Sequence, residues 1–175
     1  CSSDLKWILA PHYGWNDELK KYLLKPIGND FEWSYAQHTP SLTKDGNLVI
    51  FDNGNFRSYE LEKAVLAHNN YSRAVEYEID EENMTVNQVW QYGKERGNEL
   101  YCAYLGAVRI LENNNRLICF GGITKDIFGN PIDDMKSNRM KNQITIVEIS
   151  KGKVVFEVKL RDTDITKPIG YKCYR

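Results

Sequence analysis

Leu42-Thr-Lys-Asp-Gly-Asn-Leu-Val-Ile-Phe51 and Leu111-Glu-Asn-Asn-Asn-Arg-Leu-Ile-Cys-Phe120 stand 69 positions apart and share the order leucine, polar turn, apolar run, phenylalanine. In each copy Asp, Asn or Gly can supply the positive φ that a tight hairpin turn needs, and the apolar run behind it suits a buried strand. Both read as strand, turn, strand. A repeat decides architecture before any local assignment does, so the rest of the chain is read outward from this pair.

Downstream, Ala74-Val-Glu-Tyr-Glu-Ile-Asp80 matches Ile144-Thr-Ile-Val-Glu-Ile-Ser150 at a spacing of 70, and Val86–Tyr92 follows it as Lys153–Lys159 follows its counterpart. Each unit thus holds four strands in two hairpins, the content of one propeller blade, although the spacing exceeds the ~40 to 50 residues of common blade repeats. The surplus is assigned to loops at Tyr59–Asn70 and Gly121–Asn142. Asp4-Leu-Lys-Trp-Ile-Leu9 resembles Asn87-Gln-Val-Trp-Gln-Tyr92, so it reads as the outer strand of a preceding blade. Between them, Gly14–Pro26 reads as a short helix with Leu19, Tyr22 and Leu23 on one face, capped by Asn16 or Asp17 and ended by Pro26.

The expected fold is all-β: a β-propeller of which the chain covers two four-stranded blades (33–98 and 99–175), a strand of a preceding blade (1–13) and an insertion (14–32). Two blades cannot bury the faces of their sheets in a closed ring. The chain is therefore expected to belong to a longer propeller or to assemble as a homo-oligomer, three copies completing six blades.

Composition is that of a globular domain, 42% hydrophobic and 27% charged, and 23 basic against 24 acidic residues leave a formal charge of −1. That balance gives no footprint for nucleic acid. No run approaches the ~18 apolar residues of a membrane span. Cys1, Cys102, Cys119 and Cys173 lack the close pairing of a structural zinc site, and their disulfide pairing is open. Cys1-Ser-Ser-Asp4 has the look of a mature bacterial lipoprotein N-terminus, and an arbitrary cut explains it equally.

Three histidines, His12, His38 and His68, are the candidates for imidazole chemistry. His12 and His68 read as exposed loop residues. Phe51-Asp-Asn-Gly54 reads as turn chemistry rather than a metal site. The Glu81-Glu82 and Asp133-Asp134 pairs read as solvated loop charges. Trp7, Trp90, Tyr92 and Phe156, at matching outer-strand positions, read as packing between blades.

Five phrases, Trp7-Ile-Leu-Ala-Pro-His-Tyr-Gly-Trp15, Gln37-His-Thr39, Phe51-Asp-Asn-Gly54, Ser72-Arg-Ala-Val-Glu-Tyr-Glu-Ile-Asp80 and Val89-Trp-Gln-Tyr-Gly-Lys-Glu-Arg-Gly97, resemble in order and spacing the C-terminal part of the bacterial arylsulfate sulfotransferases. The resemblance implies a six-bladed propeller, a location in the bacterial periplasm or envelope, and transfer of a sulfuryl group from a phenolic sulfate donor to a phenol acceptor. By that resemblance His38 is the catalytic nucleophile, transiently sulfated, and the family's other histidines and its arginine fall upstream of Trp7. Tyr101-Cys-Ala-Tyr-Leu-Gly106 departs from the family's Tyr-Ser-Pro-like phrase, a change that bears on the pocket wall and not on His38.

Sulfuryl transfer resembles phosphoryl transfer in depending on positioning and charge stabilisation. A neutral imidazole attacks sulfur, the phenolate leaves, and a second phenol takes the group, giving ping-pong kinetics. No nucleotide, metal or other cofactor is needed for the bond-making step. Trp33 and Tyr35 stand ready to flank a phenol ring. The rival reading is a non-catalytic propeller that serves as a binding or structural module, and the isolated chain is expected not to turn over.

Overall fold

The structure, a computed structural model, describes residues 4–133, 141–163 and 170–174. Cys1 and Asp134 lie outside the described residues, and with them the lipoprotein reading and half of the Asp133-Asp134 pair. The first sheet contains β1 (Lys25–Ile27), β2 (Gln37–Leu42), β3 (Leu48–Asp52), β4 (Arg73–Asp80) and β5 (Thr85–Tyr92), in the order β1-β5-β4-β3-β2. The second contains β6 (Ala107–Ile110), β7 (Arg116–Lys125), β8 (Lys141–Ser150) and β9 (Lys153–Arg161), in sequential order. Both expected units are therefore four-stranded antiparallel meanders, the first with β1 added in parallel to β5. The turns form as read: Gly46 takes φ 89° and Asn114 φ 64°, and Thr43 N–H and Leu111 N–H each close a loop onto Asn47 and Asn115 carbonyls.

The structure shifts the register of the repeat. Leu42 pairs with Leu48 and Ile110 with Arg116, so Ile110 stands in the place of Leu42, a spacing of 68 and not 69. One residue reverses the face of every side chain in a strand. Val49 and Phe51 face the second sheet beside Ala74, whereas Leu48 and Ile50 line the opposite face with Val75, Tyr77 and Val86. The true counterparts of Val49 and Phe51 are Leu117 and Cys119, which point away from the first sheet toward Ala107, Ile144 and Cys173. Phe51 and Phe120, which the sequence aligns, instead meet across the interface edge to face, centroids 5.4 Å apart. The two sheets are thus stacked like successive cards, unlike faces in contact. In the second hairpin Ile50 pairs with Val75 and Ile118 with Val147, a spacing of 72 rather than 70, an even shift that keeps the faces.

The inter-sheet core is Val49, Phe51, Ala74, Leu100, Cys102, Val108, Ile118, Phe120, Ile123, Val147 and Ile149. Each such large apolar side chain contributes about 1.5 to 3 kcal/mol by leaving water. Trp90 and Tyr92 pack on this core between the sheets, as read; Trp7 packs on the far face of the first sheet, away from the second, and Phe156 is exposed.

Other expectations are corrected. Gly121–Lys125 belongs to β7 and not to a loop, with a register shift between Phe120 and Ile123 where two glycines allow a bulge. The helix is α1, Asp17–Lys20 alone, its N-cap Asn16 accepting from Leu19 N–H at 3.0 Å. It stops early because Leu24 is drawn fully into the cluster with Val75 and Tyr77. Pro26 then sits in β1, an edge strand where its missing N–H costs nothing. Asp4–Leu9 forms no strand; its single parallel bridge joins Ile8 to Leu23, made by Ile8 N–H to the Tyr22 carbonyl and Leu24 N–H to the Ile8 carbonyl.

Candidate functional site

β2 forms one edge of the first sheet, and within it His38 sits opposite Phe51 of β3. The approach to His38 is fixed by a buried ion network. Asp52, fully buried at the end of β3, receives Arg73 Nε at 2.9 Å and Arg57 Nη1 at 3.1 Å on Oδ2, and Tyr35 N–H at 2.9 Å on Oδ1. Gly54 N–H returns to the Tyr35 carbonyl. A carboxylate this buried persists because two guanidiniums and an amide replace its water. Phe51-Asp-Asn-Gly54 is accordingly not turn chemistry: Phe51 and Asp52 close β3, and Asp52 anchors the strand that carries His38.

Around His38 the backbone is forced. Ala36 takes φ 54° and Thr39 φ 50°, and the β2–β3 register shifts between His38 and Ser41. A β-branched residue in the left-handed region is a steric outlier, and such strain persists only when neighbours hold it. Here Thr39 Oγ1 accepts from Val108 N–H of β6 at 3.3 Å, tying edge strands of the two sheets together.

Asn53 fixes the histidine's tautomer. Its Nδ2 donates to the Cys102 and Leu105 carbonyls, both at 2.6 Å, so the amide has one orientation and presents Oδ1 to His38. His38 Nδ1 lies 2.7 Å from that oxygen and 3.2 Å from the Ala36 carbonyl. Both partners are acceptors, so Nδ1 carries the proton and Nε2 carries the free lone pair. Asn53 is itself fully buried, and its carbonyl accepts from Ser72 Oγ at 2.7 Å.

The stretch Tyr101–Gly106 therefore does bear on His38, through the carbonyls that hold Asn53. Its conformation needs glycine at the end: Gly106 has φ +113°, and a Cβ there would run into the Phe51 ring. Burial pushes the Cys102 thiol up to about 12. It acts as a hydrogen-bonding group, accepting from Gly122 N–H at 3.0 Å.

A cleft of about 520 Å³ opens beside His38 between β2 and β6, lined on one side by Thr39 to Leu42 and on the other by Ala107 to Ile110, with Tyr171, Lys172 and Tyr174. Tyr171 meets the His38 ring edge to face at 6.1 Å. The charged lining residues are both cations: Arg109, over the Tyr174 ring at 4.4 Å, and Lys172, 5.6 Å from the Tyr171 ring centroid. The cleft can offer an aromatic wall and positive charge to an anionic aryl compound, with His38 at its border, next to Thr39 and in ring contact with Tyr171.

The remaining candidates lie elsewhere. His12 Nε2 contacts the Leu24 carbonyl at 2.8 Å and its ring lies against Trp33, a structural role. His68 is exposed and lends its carbonyl to Asn98 Nδ2. Trp33 packs on Phe31 and Tyr35 on Tyr59, and His38 is met by Tyr171. Asp133 is not a solvated charge; it accepts from Ala67 N–H at 2.8 Å and the Tyr101 hydroxyl at 2.9 Å. Glu81 ties down Trp7 and Lys6. Sequence reasoning missed Asn53, Arg109, Tyr171 and Lys172; only Asn53 lay in a phrase already singled out.

A family model described as arylsulfotransferase (ASST) matches residues 2–172. An arylsulfate sulfotransferase AssT of Lelliottia amnigena is 43% identical over 134 residues, covering 67% of this chain and 22% of that protein. A second, from Escherichia coli O6:H1 (strain CFT073), is 41% identical over the same length and shares. The chain thus spans about a fifth of the length of the curated relatives it matches.

Proposed function

The chain belongs to the arylsulfotransferase family, and on that premise we propose that it supplies the nucleophilic centre of a sulfotransferase that carries a sulfuryl group from a phenolic sulfate to a phenol through sulfated His38. The observation that carries the reading is the hydrogen bond from His38 Nδ1 to Asn53 Oδ1, which leaves Nε2 as the one ring nitrogen able to attack.

In the first half-reaction the Nε2 lone pair forms the N–S bond as the S–O bond to the aryl oxygen breaks, and the phenolate departs with that electron pair. Positive charge grows on the imidazole. Its Nδ1–H then points at two oxygen acceptors, an arrangement that strengthens as charge develops. In the second half-reaction an incoming phenol oxygen takes the sulfur, the N–S pair returns to Nε2, and the phenol's proton replaces the one taken up by the departed phenolate. Arg109 and Lys172 bring positive charge to the cleft, where sulfuryl oxygens would need it, and Tyr171 offers a wall for an aryl ring.

The fold supports a six-bladed propeller as the setting. Two four-stranded meanders stack with unlike faces in contact and their first strands, β2 and β6, side by side, the relation that successive blades have around a central channel. A location in the bacterial envelope belongs to the same proposal.

The test is direct. Full-length protein mixed with an aryl sulfate and quenched within a turnover should yield a His38 peptide heavier by SO3, with the group on Nε2. An unmodified His38 peptide alongside active transfer would overturn the assignment.

A further inference from the structure

Cys102, Cys119 and Cys173 are free, buried thiols, and two of them stand apart from the third. Cys119 of β7 and Cys173 share one apolar cluster with Ala107, Leu117 and Ile144, close enough for each thiol to perturb the other. Cys102 instead spends its sulfur on the Tyr104 carbonyl and Gly122 N–H. Cys173 belongs to the segment Gly170–Tyr174, which brings Tyr171 to His38 and Lys172 to the cleft. That segment lies close on β7: Gly170 N–H donates to the Gly121 carbonyl at 3.1 Å, the Cys119 sulfur is 3.9 Å from the Gly170 carbonyl, and a Cβ on Gly121 would collide with Gly170.

We propose that Cys119 and Cys173 form a disulfide site, a covalent staple that fixes the Tyr171–Lys172 wall of the cleft to β7. The proposal stands on this thiol pair and does not depend on the sulfotransferase reading. The neighbouring Cys119 thiol, together with the Arg109 charge, holds the Cys173 thiol below its ordinary value despite burial. Cys173 is therefore the attacking thiolate. With a small disulfide such as oxidised glutathione, the Cys173 sulfur displaces one glutathione thiolate to give a mixed disulfide. Cys119 then gives up its proton and attacks the Cys173 sulfur, expelling the second glutathione. Both cysteines are oxidised, and one glutathione disulfide becomes two thiols.

The full-length protein is unfolded, refolded in an excess of oxidised glutathione so that access is not limiting, alkylated and digested with trypsin. A reducible species should join Leu117–Lys125 to Cys173–Arg175, about 2 Da lighter than the sum of the free peptides. Cys102, in the Gly97–Arg109 peptide, should carry the alkyl label. Cys102→Ala should leave the cross-link intact, and Cys173→Ser should abolish it and leave Cys119 free to be alkylated. Alkylation of both Cys119 and Cys173 in the refolded protein, a glutathione adduct persisting at Cys173, or a cross-link through Cys102 would overturn the proposal.

Discussion

Replacing Asn53 by alanine separates the two roles assigned to that side chain. Its amide nitrogen satisfies two buried carbonyls, Cys102 and Leu105, and its oxygen holds His38 Nδ1–H. Orphaning a buried acceptor costs roughly 1 to 3 kcal/mol; the Cys102 carbonyl keeps the Ser72 hydroxyl at 3.2 Å, so the loss falls chiefly on Leu105 and the variant should lose roughly 1 to 3 kcal/mol of stability. The catalytic loss is separate. A hydrogen bond to a group that becomes charged contributes roughly 1.5 to 3 kcal/mol, and the Ala36 carbonyl at 3.2 Å retains part of the orienting effect. The expected loss is on the order of 10- to 100-fold in the rate of sulfation of His38. Stopped-flow measurement of the first burst of phenol, below the variant's own unfolding transition, reads that step; a urea titration of the same protein reads the other. A variant that is destabilised but bursts at the wild-type rate would refute the link from Asn53 to the nucleophile, as would a sulfohistidine substituted at Nδ1 in the wild type.

Asp52→Ala should lower stability by about 3 kcal/mol, the low end for a broken buried pair, since the fully buried Arg73 would lose its closest carboxylate and keep only the partly exposed Glu32; an unchanged urea midpoint would count against the network. Arg109→Ala with Lys172→Ala should reduce kcat/KM for an aryl sulfate donor roughly tenfold or more and flatten its dependence on ionic strength; equal salt dependence in variant and wild type would remove both from the donor's path. Glu99 is held down to about 2 by its hydrogen bond from Arg96, against desolvation and with help from Lys159. Because that carboxyl titrates lower in the folded state, its stabilisation is complete above its unfolded value near ~4.3 and is lost as pH falls toward the folded one. Glu99→Gln should therefore lose less stability than the wild type on acidification from pH ~5 to ~2, and parallel curves would contradict the assignment.

The strand content and both pairs of hairpins were legible because turn residues and apolar runs alternate in the sequence. The register was not. β3 is buried at every position, since one sheet face meets the second sheet and the other meets Leu24, Phe31 and Trp7. Burial on both sides erases the period-2 signal that would tell the faces apart. Leu48 and Leu117 or Phe51 and Phe120 then align by identity although they point opposite ways. His38 stood out in the sequence only through its resemblance to a family phrase. Asn53 was hidden in plain view, because an Asp-Asn-Gly run serves turns as readily as it serves buried hydrogen bonds, and only the carbonyls of a stretch some fifty positions away decide between them. Tyr171, Arg109 and Lys172 carry no local pattern; the cleft alone makes them neighbours.

The stacking of unlike faces has a consequence for how such a molecule could arise and grow. A two-fold pairing consumes its surface: once like meets like, nothing is left to receive another partner. Here the first sheet offers the second a face whose equivalent the second holds outward, so each added copy arrives already carrying the seat for its successor. Duplication of a single unit would need no newly invented complementarity, only a fixed rotation from one copy to the next.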